Sequence, residues 1–270
     1  MKYQKLNHPA AAAVSAVTLI LSTAGSRADL FFDQNVTNNV IFGSGNANGS
    51  FTVDRNQDLG LELGLRAKSR FPASGTYNSN GDGVYVFGAP GTGQPNNRSV
   101  FNFEFSVNTN YNQSSQKTIG DYDYELFIDY DPSESIGNLV TFDPFNLPYA
   151  DHSFGDNGTG NGGGQVAADP SEYAGFLSTK NLAQQSWNLG FFGTSTDGFS
   201  NGGGDQVYSI WLNARDKVTG ALVGQTAITV SDNVDQMAIS PIPEPSSALA
   251  LSFLMSTALM GHRRRRQTVK

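Results

Sequence analysis

The chain has 270 residues, no cysteine, and a formal net charge of −7 from 17 basic and 24 acidic residues. The lack of cysteine excludes disulfides, thiolate metal sites and cysteine nucleophiles. Eight basic residues sit at the two ends (Lys2, Lys5, Arg27, Arg263 to Arg266 and Lys270), leaving nine against 23 acids over the body, a net charge of −14. Such a surface repels phosphate polymers, so nucleic acid is excluded as a partner, while divalent cations and neutral glycans are not.

The first 28 residues read as a secretory signal peptide. Lys2 and Lys5 give a positive start, "AAAAVSAVTLILSTA" an apolar stretch, and Ser26-Arg27-Ala28 a small-x-small cleavage site. Cleavage between Ala28 and Asp29 is expected, and with it export.

Residues 29–238 form one body long enough for a single sizeable domain. Its apolar period is two. Leu59, Leu61, Leu63 and Leu65 alternate with Gly60, Glu62, Gly64 and Arg66; Phe101, Phe103, Phe105 and Val107 alternate with Asn102, Glu104 and Ser106. Each run predicts a strand with one buried face. Similar runs occur at "GVYVFGA", "DYDYELFIDY", "NLVTF", "SWNLGFF", "QVYSIWLNA" and "GQTAITV", separated by clusters of Gly, Asn, Asp and Pro. The pattern predicts an all-β fold, an antiparallel β-sandwich or jelly roll. One helix is expected at "DPSEYAGFL", with Asp169 as cap, Pro170 at the first helical position and Glu172 completing a capping box.

Within the body no catalytic residue is assigned. The body histidine, His152, is flanked by Asp151 and Ser153, and neighbours on an extended chain point to opposite faces, so these three do not make a triad. His152 is expected on a loop or edge. No spacing for a nucleophile elbow, zinc-protease helix or phosphate loop is present. Asp121, Asp123, Asp129, Asp131 and Glu134, with Glu125 among them, form an acidic segment whose hard oxygens would suit calcium; no other cofactor is implied, and solvated surface charge is the plainer alternative. Tyr77, Tyr85, Tyr111, Tyr149, Tyr173, Trp187 and Trp211 could present flat faces to a sugar, although most, Trp211 in particular, are expected in the core or in strand pairs.

Residues 239–270 are unlike the rest. Pro241, Pro243 and Pro245 keep the chain extended, and residues 246–261 carry no charge. As a helix that stretch spans roughly 24 Å at about 1.5 Å per residue, short of a hydrocarbon core of about 30 Å. His262 and Arg263, Arg264, Arg265 and Arg266 begin a basic tail, 262–270, that would stay cytoplasmic. Pro243-Glu244-Pro245, an apolar helix and an arginine cluster, in that order at the C-terminus, resemble the PEP-CTERM sorting signal of Gram-negative bacteria. The resemblance implies recognition by an exosortase, a membrane-embedded cysteine transpeptidase. It further implies processing near Pro-Glu-Pro, a transient stay in the inner membrane, and delivery to the cell surface or extracellular polysaccharide matrix. A plain membrane anchor is the alternative. The body segments "NFEFSV", "YELFIDYDPS", "VTFDPF", "DHSFG" and "QQSWNLGFF" are similar to exported bodies that accompany such tails, a likeness that carries no activity. The expected function is a structural or adhesive component of the surface or matrix, with a carbohydrate-binding or carbohydrate-active domain (glycosidase or lyase) as the alternative.

Overall fold

The computed structural model describes residues 30–70, 79, 81–87, 95, 98–129, 139–192 and 207–231. The expected signal peptide, its cleavage site and the C-terminal sorting helix lie outside them. Eleven strands are described: β1 Leu30–Gln34, β2 Phe51–Asn56, β3 Leu61–Ser69, β4 Val84–Val86, β5 Phe101–Asn108, β6 Tyr122–Asp129, β7 Leu139–Phe142, β8 Ser153–Gly155, β9 Leu182–Asn188, β10 Val207–Asp216 and β11 Leu222–Ser231. They form a six-stranded sheet in the order β1-β2-β3-β5-β9-β8 and a five-stranded sheet in the order β4-β11-β10-β6-β7.

Period-two alternation decides what lies between the sheets. Leu61, Leu63, Leu65 and Ala67 of β3 and Phe101, Phe103, Phe105 and Val107 of β5 point inward from the first sheet. Tyr122, Tyr124, Leu126 and Ile128 of β6 and Tyr208, Ile210, Leu212 and Ala214 of β10 meet them from the second, in one core cluster. Polar bridges cross at β2, where Asp54 Oδ2 accepts the Gln225 N–H at 2.7 Å and the Thr226 hydroxyl donates to Thr52 O at 2.8 Å.

Some boundaries differ from the periodic reading. Leu59 sits in the turn before β3, its N–H donating to Asn56 Oδ1 at 3.2 Å. "SWNLGFF" is split: the strand begins at Leu182, and Asn188 ends it by accepting the Gly190 N–H at 3.1 Å, which opens a 3-10 turn at Leu189–Phe191. The second sheet is mixed rather than purely antiparallel, because the short β4 runs parallel to β11.

The larger difference concerns the outer face of the first sheet. Alternation predicts water there, yet every residue of β5 is buried and Arg66 and Glu104 are wholly so. Residues 35–50 lie over it, carrying a second apolar cluster of Val36, Val40 and Phe42 onto Phe51 and Val53. Glycine at position 64 leaves room for this cover, since a Cβ there would stand 2.8 Å from Val36 Cγ1. The strand side chains that look solvent-bound bind the cover's backbone instead. Glu62 accepts the Thr37 N–H at 2.7 Å, Gln184 accepts the Ile41 N–H at 2.8 Å, and Arg66 donates to Ala47 O and Gly49 O at 2.9 and 2.7 Å. Buried backbone groups need partners, and this polar stripe supplies them.

The helix α1, Pro170–Thr179, forms as predicted, with Asp169 Oδ1 accepting the Ser171 and Glu172 N–H groups at 2.8 and 2.9 Å. Glu172 closes the box one residue upstream of the expected position, on the Ala168 N–H at 2.7 Å. Its inward residue, Tyr173, is buried.

Phe105 joins these parts, with ring contacts to Phe145, His152 and Trp187. Phe105→Ala is expected to cost about 3–5 kcal/mol, the range for truncating a buried aromatic. Urea unfolding of the two proteins checks this, with the midpoint falling and the slope unchanged.

Candidate functional site

The acidic segment was the first candidate, and β6 spreads its described members apart. Asp123, Glu125 and Asp129 share the outer face of that strand, opposite the core residues Tyr122 to Ile128. Asp123 and Asp129 are six positions apart, about 20 Å at about 3.3 Å per residue, too far to share one ion. Each carboxylate has other business. Asp123 is 55% exposed and 3.7 Å from Lys217, and Glu125 pairs with Arg215 at 3.1 Å. Asp129 is buried. Asp121 lies before the strand in a 3-10 turn, Ile119–Asp121, where Oδ2 accepts the Thr118 N–H at 2.7 Å. Asp131 and Glu134 lie outside the described residues. Among the described residues no group of three or more His, Asp or Glu gathers to hold a metal.

The aromatic residues proposed for sugar stacking likewise do not form one platform. Tyr85 and Tyr173 are core residues, and Trp187 packs against the core between Phe103, Phe105 and Phe142. Trp211 is buried, but on the outer face of β10, opposite the core residues Ile210 and Leu212. Tyr77 is outside the described residues. Tyr111 is half-buried beside the Arg55 guanidinium, and Tyr149 is 45% exposed with its hydroxyl donating to Ala167 O at 2.9 Å.

His152 is not the loop or edge residue that its neighbours suggest. It is fully buried just before β8, boxed in by Phe105, Phe145, Phe154, Tyr173 and Trp187. Nδ1 lies 2.8 Å from the Tyr173 hydroxyl, and Nε2 is buried without a hydrogen-bond partner. Removal from water disfavours the imidazolium and pushes the pKa down to about 3. Burial also raises Tyr173 above the usual phenol range. Asp151 takes no part, since its carboxylate accepts from Gln185 Nε2 at 2.8 Å. A permanently neutral imidazole packed among rings can anchor α1 but is poorly suited to moving protons at neutral pH.

An open cleft of about 380 Å³ runs between the turn before β3 and the loop after β5, lined by Asp58, Leu59, Ser114, Ser115, Gln116, Lys117 and Asp121. Its walls combine hydroxyl, carboxamide, carboxylate and the Lys117 ammonium with about as much apolar surface, Leu59 included. Of these residues only Asp121 was singled out by the sequence. No family model, curated protein or solved structure matches this chain. The site therefore rests on its own chemistry, which is that of an open surface, part polar and part apolar, with hydrogen-bonding groups from Ser114, Ser115 and Gln116.

The sequence reading also missed the buried charges. Arg66 Nε lies 2.6 Å from Glu104 Oε2, Lys68 pairs with Glu104 Oε1, and the Ser186 hydroxyl donates to the same Oε1 at 2.9 Å. The available signal was three ionisable side chains on the supposedly wet faces of two central strands, beside an Asn- and Gly-rich segment, 43–50.

The neutral state of His152 makes stability depend on pH. The unfolded imidazole takes a proton near 6.5 and the folded one near 3. The contribution is therefore complete above 6.5 and lost as the pH falls towards 3. Between pH 7.5 and 5 this amounts to about 2 kcal/mol. Glu62 and Asp143, whose carboxyls burial raises, act in the opposite sense on acidification. Urea unfolding of wild type and His152→Gln at both pH values isolates the histidine: the stability difference between the two proteins should shift by about 2 kcal/mol.

Proposed function

We propose that the chain is an exported protein sorted by an exosortase to the cell surface or extracellular matrix of a Gram-negative bacterium, where its body, a β-sandwich, serves a structural or adhesive role beside exopolysaccharide. The observation that carries this reading is the C-terminal order of Pro243-Glu244-Pro245, an uncharged stretch at 246–261 and Arg263 to Arg266. The signal-like N-terminus and the lack of cysteine fit export. The described body fits a structural role in using Glu62, Arg66 and Glu104 of its central strands to hold a fitted cover in place. The membrane enters transiently, through 246–261.

The cleft beside Asp58 and Asp121 favours a second reading, a carbohydrate-binding surface, because hydroxyl and carboxamide groups match the donors and acceptors of neutral glycans. A glycan array separates the two. A purely structural body shows no saturable sugar preference, whereas a binding body shows one that Gln116→Ala weakens.

The sorting reading makes two variants fail differently. In an exosortase-bearing host, Glu244→Ala should leave the precursor inserted but unprocessed, since only recognition is disturbed. Neutralising Arg263 to Arg266 should disturb insertion itself, because that charge fixes the topology. Cell fractionation with intact mass reads both, and normal processing of both variants rejects the assignment.

A further inference from the structure

Under the cover of the first sheet, Lys68 meets two groups at once. Its Nζ pairs with Glu104 Oε1 and also donates to Asn46 Oδ1 at 3.3 Å. The Lys68 side chain is 15% exposed, Glu104 is fully buried, and the Phe42 ring lies 5.4 Å from Nζ. Asn46 is held for the encounter, since its Nδ2 donates to Phe42 O at 2.9 Å and Gly43 O at 2.8 Å, which turns the carbonyl towards the amine. The pairs Lys117–Asp216 and Lys217–Asp123 lack this arrangement: each is 3.7 Å long and nearer to water.

We infer that Lys68 and Asn46 condense spontaneously into an isopeptide bond with Glu104 as the proton relay. Glu104 takes a proton from the Lys68 ammonium, and the freed amine attacks Asn46 Cγ. The Nζ–Cγ bond forms and the Cγ–Nδ2 bond breaks; the attacking nitrogen passes its surplus proton to the departing one, and Glu104 returns the proton it took. The nitrogen therefore leaves as ammonium, carrying away the positive charge of Lys68, and no oxidant or other co-reactant is required. Proximity replaces a catalyst, as in any well-oriented intramolecular acyl transfer.

Charge gives the step a direction. Arg66 and Lys68 both rest on the one carboxylate of Glu104, which is fully buried, so condensation relieves that carboxylate of one of its two cations. Condensation turns Lys68 into a neutral amide and leaves Arg66 and Glu104 as a balanced pair. Arg66 stays in place during the relay through Ala47 O, Gly49 O and the face of Phe51, 4.2 Å from its guanidinium carbon. The product ties the cover, 35–50, covalently to β3 in a chain that has no cysteine for the task. The cross-link stands or falls independently of the sorting signal.

The test is mass spectrometry of the full-length protein after denaturation and trypsin. The expected result is one branched species joining the peptide that ends at Arg55 to residues 67–70, lighter than the two together by one ammonia, with Lys68 uncut. Lys68→Arg keeps the positive charge and should release both peptides at full mass. Asn46→Asp should join them with loss of water instead of ammonia. Glu104→Gln should leave them separate. Should that variant fail to fold, the wild-type spectrum still decides. Separate, full-mass peptides and cleavage after Lys68 in the folded wild type overturn the inference.

Discussion

The structure depends on how the outer face of its first sheet is satisfied. Arg66, Glu104 and Lys68 stand where alternation predicts water; because residues 35–50 lie across them, Arg66 and Glu104 are fully buried and Lys68 is partly so. An unpaired charge in that position would be ruinous, so each member needs the others and the cover needs them all. Glu62 and Gln184 extend the same arrangement along neighbouring strands, binding Thr37 and Ile41. The result is three layers where alternation suggests two: a sheet, a second sheet behind it, and an irregular segment in front, attached by a polar stripe as well as by the small apolar cluster of Val36, Val40 and Phe42 on Phe51 and Val53.

That third layer explains which parts of the fold were legible. The strands with long apolar alternation, β3, β5, β6 and β10, could be read directly, because the core between the sheets enforces period two. The helix could be read because Asp169 and Pro170 announce it locally. β1, β2 and β8 could not, being short and carrying few alternating apolar positions. The burial of Glu104 was invisible for a deeper reason, since its partners Arg66 and Ser186 are brought together only by strand order, 38 and 82 residues away in sequence. His152 was misplaced for the same reason: its immediate neighbours in sequence are polar, while its neighbours in space are Phe154, two residues on, and rings drawn from four other segments. The cleft, built from two turns, offered only Asp121 as a sequence signal.

Body and tail divide the work differently. On the proposed reading the tail concerns destination, and it can be read from about thirty consecutive residues because an enzyme in the membrane would meet it as a linear segment. The chemistry of the body is distributed instead. Burial of His152 in neutral form and of Glu62 and Asp143 with raised pKa values shows a domain that tolerates ionisable groups inside wherever geometry supplies a partner or a desolvated box.

The cover also sets an order of events. It lies near the start of the body, and two of its anchors are far downstream: Ile41 waits for Gln184, 143 residues later, and Val40 for Asn161, 121 residues later. Contacts of such separation close slowly, because the intervening chain must be brought together first. A chain that emerges N-terminus first therefore has only the nearer anchors of this segment, Glu62 and Arg66, within reach, and the lid on the first sheet is completed only after β9 has followed. On the proposed export route, that delay would leave the sheet open until most of the body is outside.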